Sequence, residues 1–577
     1  MRAATLFPKQ TAPRFLLTTA ASVVLLLGGV DDIAARETQL YDPGYSSPRY
    51  LSPRDPGYAS PRYGSPRAAP PRAFNQSPIS LTQSALREYF LSGQAGAKAL
   101  EAFYAERDFL PVWTGSLDAT RAGVQVRTAL TNADQQGLDS AAYASRATQS
   151  NALPAPGTEA ARYDVALTEA LIRYAHDLRV GRISPKDVYR DIDLPASNFD
   201  AYDALAAALK TRSIDKFLAD LAPAHPGYHW LAAALARYRG IAAQGGWPSL
   251  TSTSGTDARN VKLLAERLSV EDPMLANEPS PSSDALREAL KRYQARNGLS
   301  ADGRIGRDTL AALNVPVAAR IQQIVANMER WRWVPALFEH RYVSINVPDQ
   351  TLVYVQDGKA LLHSRVIVGR KNSRTPILRS EADTLVANPP WNVPGDIAAA
   401  QLLPHLVRDP NYLASRNMVV VNGPIGDPRG RTIQWRSVSA DQFSYQIRQL
   451  PGPNSAMGLL MLDAPNDFDV YLHDTPGKKF FADDERDISN GCIRVQEMAP
   501  LASLALTGDS SAGMDQVKQA IAGRETLRIP LKEPLPIYML YWTAIADADG
   551  NVGFRPDRYT RDSPLIAALD NKIFASR

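Results

Sequence analysis

One cysteine, Cys492, is all that 577 residues contain. No intramolecular disulfide can form, so the fold must rest on packing. Histidine is also scarce, with seven residues in the chain. Its one i, i+4 pair, His225 and His229, is interrupted by Pro226 and Gly227, and His176 stands alone. That spacing argues against a zinc-peptidase ligand set and for structural or surface histidines. Charge of one sign is lacking too: 64 Lys and Arg against 60 Asp and Glu leave +4. So small an excess leaves no nucleic-acid footprint. Long apolar runs are missing except for Phe15 to Val30, which is shorter than the roughly 20 residues a spanning helix needs.

What is present reads as a chain of several units. With 45% hydrophobic and 21% charged residues, most of it is globular, and its length suggests three or four domains at roughly 150 residues each. Residues 1–35 have the order of an export signal: Arg2, Lys9 and Arg14, then the apolar run, then Ala34 and Ala35. Ile33 sits where a small residue is preferred for cleavage, so retention as an inner-membrane anchor is the alternative. Both place the body of the chain outside the cytoplasm, in the periplasm. Residues 36–80 form a linker in which a 13-residue unit starting at Asp42 recurs at Asp55. Its prolines and lack of aliphatic residues preclude a core, and six Arg against three acids between Arg36 and Arg72 make it basic.

Residues 81–250 read as a helical domain. Apolar faces run through Leu86, Tyr89 and Phe90 and through Leu100, Phe103 and Tyr104, and Arg121 to Gln136 ends at Gly137. An Ala-rich stretch from Asp203 to Ala243 continues the pattern as further helix. Residues 251–315 form a small unit with stripes at Val261, Leu264 and Leu268 and at Leu286, Leu290 and Tyr293. A connecting helix is expected over 316–339. From 340 to 525 the texture changes to short strands with hairpin turns, mostly antiparallel, interrupted over 395–450 by mixed sequence that reads as a lid. The tail, 526–577, holds a strand from Ile537 to Ala546 and a turn at Asp549-Gly550-Asn551, packing on the helical or the β domain. The fold class is thus α+β and multidomain.

The ordinary reading of a lone cysteine is a small buried hydrophobe. Tyr471-Leu472-His473-Asp474 followed by Ser489-Asn490-Gly491-Cys492-Ile493-Arg494 argues otherwise. A thiol needs a base to react near neutral pH, and His473 lies 19 residues upstream across a polar loop. Gly491 lets a substrate carbonyl approach the backbone, and the amides of Gly491 and Cys492 could form an oxyanion hole. Arg494, two residues on, shares the face of the nucleophile on a strand, where it could lower the thiol pKa or hold a substrate carboxylate. No motif implies a cofactor or a metal.

This stretch resembles the active-site motif of the L,D-transpeptidases with a YkuD-type catalytic domain. The familiar form has His where this chain has Asn490. Gly369, Thr375-Pro376, Asn388 to Pro394 and Gln449 to Asn454 extend the likeness. Tyr293-Gln294, Gly298-Leu299, Asp302-Gly303, Ile305-Gly306 and Thr309-Leu310 resemble a three-helix peptidoglycan-binding domain. Together they suggest the large Gram-negative YcbB-like group, over roughly residues 80–570. The resemblance implies a scaffold domain, a peptidoglycan-binding-like domain and a mostly β catalytic domain with an inserted lid. It implies Cys492 as nucleophile, His473 as general base and acid, and the Asp474 carbonyl orienting His473. Ser489, Asn490, Tyr471, Asn392 and Arg494 become substrate-binding candidates, and Trp391 a packing residue. The implied reaction joins peptidoglycan stem tetrapeptides, donor and acceptor, by 3→3 cross-links through a thioester, which would make the enzyme a carbapenem target. Carboxypeptidase or endopeptidase activity, lipoprotein anchoring, and a non-catalytic wall-binding scaffold are the alternatives. Glycan contact through the small unit is a further expectation.

Overall fold

A computed structural model describes residues 77–93, 98–144, 152–254, 257–276 and 281–575. The export segment and the repeat of the linker lie outside them. The linker ends earlier than expected. Ser77 caps the helix Pro78–Leu91, its hydroxyl accepting from Ser80 N at 3.2 Å, with proline in the first turn.

The helical region is built from Lys98–Glu106, Leu117–Thr131, Thr158–Arg179, Ala201–Thr211, Ile214–Asp220 and Pro226–Ala243 around a core that includes Leu100, Trp113, Leu171 and Leu231. The Ala-rich stretch is helical as expected and divides into three helices. Arg212 takes a left-handed conformation (φ 53°) that ends the first, and Pro226 opens the third. His225 precedes that proline, stacks between Trp331 and Phe338, and bonds the Pro335 carbonyl at 2.7 Å, a structural role.

The small unit packs Ala258–Ser269, Ser283–Arg296 and Arg307–Leu313 on Leu264, Leu268, Leu290 and Leu313. Gln294 explains the glycine-rich spacing of its turns. The amide donates to Asp302 Oδ1, Arg304 O and Thr309 Oγ1, and accepts from Gly303 N at 2.8 Å. The helix Val317–Arg332 then runs between the units, with Ile324 and Met328 in the helical core and Ala326 in the core of the β domain.

Eight strands pair in a closed ring. Ile377–Ala387 joins Leu527–Leu540, then Arg341–Asn346, Thr351–Gln356, Lys359–Gly369, Ile493–Val495, Leu472–His473 and Leu460–Asp463, which returns to Ile377–Ala387. Closure leaves no free edge within the ring, and its inward residues (Val343, Val366, Leu385, Leu462, Ile537) fill the interior. Two features correct the expected boundaries. Leu527–Leu540 is a 14-residue stave between two strands of the catalytic unit, so that unit does not end at 525. The strand expected from Ile537 to Ala546 is two strands, the second (Ala544–Ala546) turning back on Val552–Phe554 and packing on the helical core. Pairing between positions so far apart leaves no local trace in sequence. Ile192–Asp193, from the helical region, adds in parallel beside Ile377 and Leu378, so the two domains share a sheet.

The insertion has its own three-stranded sheet, Trp391–Val393, Ile447–Gln449 and Met418–Val420, and its own core of Leu402, Leu406, Leu413, Trp435 and Ile447. Trp391 packs partly against that core. The subdomain thus begins at 391, four residues before the expected 395.

Candidate active site

His473 and Cys492 come together because their strands are neighbours. Leu472–His473 runs parallel to Ile493–Val495 with His473 opposite Arg494, and Ile493 N donates to Tyr471 O at 2.9 Å. By the two-residue period of a strand, Tyr471, His473, Cys492 and Arg494 lie on one face. His473 is buried at 4% exposure, and its Nδ1 meets the Asp474 carbonyl at 2.6 Å. That bond assigns the proton to Nδ1 and leaves Nε2 as the basic nitrogen. The Asp474 carboxylate looks elsewhere: Oδ2 accepts from Leu459 N and Oδ1 pairs with Lys478 at 2.6 Å.

Burial, reinforced by the nearby Arg494 charge, lowers the His473 pKa to about 4, against the pull of the Asp474 and Met457 carbonyls. Burial also raises the Cys492 thiol, although the Tyr471 amide and Arg494 pull it down. Arg494 therefore does not make a resting thiolate; the resting pair is neutral thiol and neutral imidazole. Among the described residues the thiol's hydrogen bond goes to Asp469 O at 3.7 Å, and none joins Sγ to the imidazole. Asp469 itself is in the left-handed region (φ 53°). Attack thus requires a side-chain rotation away from Asp469 before His473 can take the proton.

A pH prediction follows. Only the neutral imidazole can accept, so kcat/KM holds from pH 7 down to pH 5 and halves near about pH 4. An NMR titration of the His473 ring with a midpoint at 6 or above would contradict it.

The turn before Cys492 is braced from within. Ser489, 2% exposed, donates from Oγ to Cys492 O at 2.7 Å and accepts from Gly491 N at 3.1 Å. One expectation changes as a result. Ser489 shapes the turn and is not available to substrate. The Gly491 amide donates to Ser489 Oγ, and its glycine is required by φ +122°. The backbone donors that pull the thiol pKa down are the amides of Tyr471 and Cys492 itself. The Tyr471 amide escaped the sequence reading, because only the parallel pairing brings it to the thiol. The Tyr471 hydroxyl bonds Asp469 Oδ1 at 3.3 Å, and burial with the Asp469 charge pushes its pKa up to about 12.

A second brace comes from the loop after Lys359–Gly369. Thr375, fully buried, accepts from Gly369 N at 2.9 Å and donates to Gly491 O at 2.7 Å. A Cβ at Gly369 would stand 2.2 Å from Ser373 O, so only glycine closes this loop. Thr375→Val strands both partners, and a lost buried bond of this kind costs about 1–3 kcal/mol. We expect kcat/KM to fall about 10- to 100-fold, as displaced nucleophiles do, with a circular-dichroism spectrum like the parent's. An unchanged rate would show that the Gly491 carbonyl does not position Cys492.

Asn490 and Asn392 are not gathered around the sulfur. Asn490 Oδ1 accepts from Gln401 Nε2 of the inserted subdomain at 3.1 Å, from a segment (Ala398–Leu402) wound as a π-helix. Asn392 lies on the subdomain's sheet, where its Oδ1 accepts from Arg448 Nε at 2.6 Å.

A closed barrel presenting a thiol and an oriented imidazole on adjacent strands defines a candidate thiol active site within a multidomain α+β protein. Residues 340–517 match the family model described as L,D-transpeptidase catalytic domain, residues 98–235 the scaffold domain, and residues 260–313 the "Putative peptidoglycan binding domain". The chain therefore carries an L,D-transpeptidase catalytic domain together with a scaffold and a peptidoglycan-binding domain. A Haemophilus influenzae protein named "Putative L,D-transpeptidase" is 34% identical over 254 residues, 43% of this chain and 50% of that protein. The chain thus spans half the length of that relative. An L,D-transpeptidase from Xylanimonas cellulosilytica (residues 123-326), of known crystal structure, is 14% identical and covers 51% of this chain and 97% of its own. Its TM-score is 0.16, an overlap too small to carry an argument.

Proposed function

We propose that this protein is a cysteine-dependent L,D-transpeptidase that forms 3→3 cross-links between peptidoglycan stem peptides outside the cytoplasm. The observation that carries the reading is the His473 Nδ1 bond to Asp474 O, which makes Nε2 the basic nitrogen of a residue on the same face as Cys492. In the first half-reaction His473 takes the thiol proton as Sγ attacks the carbonyl of the third residue of a donor tetrapeptide. The amides of Cys492 and Tyr471 receive the oxyanion. Collapse breaks the peptide bond, His473 returns the proton to the leaving D-Ala amine, and a thioester remains. In the second, the side-chain amine of an acceptor stem attacks the thioester, His473 removes its proton, and the thiol is regenerated. The inserted subdomain, tied to Asn490 by Gln401, serves as the lid. The three-helix unit holds the wall polymer. The basic and then apolar order of residues 1–35 supports export to the periplasm, with or without retention in the inner membrane.

Mass spectrometry of purified stem tetrapeptides incubated with the enzyme tests this directly. The expected product is a tetrapeptide–tripeptide dimer with release of D-Ala. Tripeptide alone would assign a carboxypeptidase, and transfer only to a lipoprotein lysine an anchoring enzyme. Intact stems with an unmodified cysteine would leave a wall-binding scaffold.

A further inference from the structure

Several buried arginines of this protein hold an acid: Arg267 with Glu271, Arg330 with Asp562 and Arg561 with Asp191, each at 2.6 Å. Arg486, which has no acid, instead directs Nε and both Nη groups at the carbonyls of Val366, Asp483 and Gln350. Arg494 has neither arrangement. It is half-buried, makes no hydrogen bond or ion pair among the described residues, and its Nε is shielded from solvent without a partner.

A second cation stands beside it. Arg494 pairs across the sheet with Ile367, and Arg370 follows three residues later on the same chain segment. Among the described residues the Arg370 guanidinium reaches two carbonyls, Ser489 O from Nε at 3.2 Å and Ile488 O from Nη2 at 3.3 Å. Those carbonyls belong to the turn that carries Cys492. Arg494 thus follows Cys492 on its strand while Arg370 is bonded to the turn before it, and among the described residues neither makes an ion pair. Lys371 and Arg374 add charge to a loop that has no acid between Gly369 and Thr375. Asp469, the acid that acts on the thiol, accepts from the Tyr471 hydroxyl and makes no ion pair with either arginine among the described residues. Bringing like charges together, one with no hydrogen-bond partner, is unfavourable until an anion completes the set.

We propose that Arg370 and Arg494 form a carboxylate subsite beside Cys492, which reads a free carboxylate on the peptide close to the carbonyl the thiol attacks. Arg370 is then a specificity-determining residue that no motif singled out. The peptide part of this inference rests on the function proposed above; the anion preference of the site does not. The carboxylate could be the C-terminal one of the leaving residue or the side-chain one of the residue attacked, and the test separates them.

Because the chain has one cysteine, alkylation reads Cys492 alone. Iodoacetate and iodoacetamide form the same C–S bond with release of iodide and differ in charge. The iodoacetate-to-iodoacetamide rate ratio of the full-length protein should exceed that of free cysteine about 10-fold at low salt and shrink as salt rises. Arg370→Gln should lower the ratio about 5-fold, while Arg370→Lys, which keeps the charge and loses the fork of carbonyl bonds, should retain it. A wild-type ratio equal to free cysteine, or equal losses in the two variants, overturns the subsite. In the peptide arm, wild-type enzyme should favour a donor with free carboxylates over an amidated one about 10-fold or more. Arg370→Gln should erase the preference for whichever carboxylate, C-terminal or side-chain, is bound. Turnover indifferent to both amidations overturns the subsite as a reader of substrate. No turnover of any peptide, with the alkylation ratio intact, overturns the proposed function instead.

Discussion

Replacing Cys492 with serine should remove the acyl-enzyme and lower turnover of stem peptides by about 10³- to 10⁶-fold, the range seen when a nucleophile acting with its base is deleted. The size of the effect comes from the site itself. The imidazole is neutral and buried, its Nδ1 is committed to Asp474 O, and it shares a strand face with the thiol. A serine hydroxyl is a far weaker acid and nucleophile than the thiol, so the same base in the same geometry activates it far less. His473→Ala should cost nearly as much, and the double variant little more than either single one, because the two residues act as a unit. Intact-protein mass spectrometry after exposure to donor peptide reads the adduct, and muropeptide analysis reads the product. Full transpeptidation by the Cys492→Ser enzyme would remove the nucleophile assignment, whereas additive losses would separate His473 from the proton transfer.

The largest stability effect is expected far from the thiol. Glu329 and Arg332, on the helix Val317–Arg332, form an ion pair at 2.7 Å with side chains 0% and 1% exposed. Glu329 also accepts from Ile183 N at 2.8 Å, and Arg332 donates to the Gln136 carbonyl and to Tyr228. These bonds join the helical region to the helix that packs on the barrel. Glu329→Ala leaves a buried guanidinium without its anion and an amide without its acceptor, and removing one partner of a buried pair costs about 3–5 kcal/mol. The urea midpoint, followed by circular dichroism, should drop accordingly. Leu337→Ala, at a side chain 74% exposed, should move it by less than about 0.5 kcal/mol. A Glu329→Ala midpoint as close to the parent's as that control would show that the pair is not what holds the units together.

Much of the site was legible because its residues are close in the chain. Cys492, Gly491 and Arg494 lie within one turn and one strand, and His473 stands one loop away, so residue type and spacing sufficed. Legibility failed where a side chain's partner is remote. Ser489 looked available to substrate, yet its hydroxyl is consumed by the turn it belongs to. The Gly491 amide, a candidate oxyanion donor, donates to Ser489 Oγ. Arg370 carried no signal, since its relation to Cys492 runs through the pairing of Asp487–Ser489 with the end of Lys359–Gly369.

Sequence alone singled out the candidate nucleophile and its base. A thiol with no disulfide partner, a histidine 19 residues before it and a glycine beside it are local facts, and periodicity marks helices and strands locally. It also determined the order of units along the chain, because composition shifts at their borders. Only the tertiary structure decided that the barrel closes through Leu527–Leu540, that the helical region contributes a strand to it, and that burial leaves the thiol and the imidazole neutral at rest. Those outcomes depend on hydrogen bonds between residues more than a hundred positions apart and on loss of solvent around a charge. Neither is encoded in any stretch of sequence short enough to read by itself.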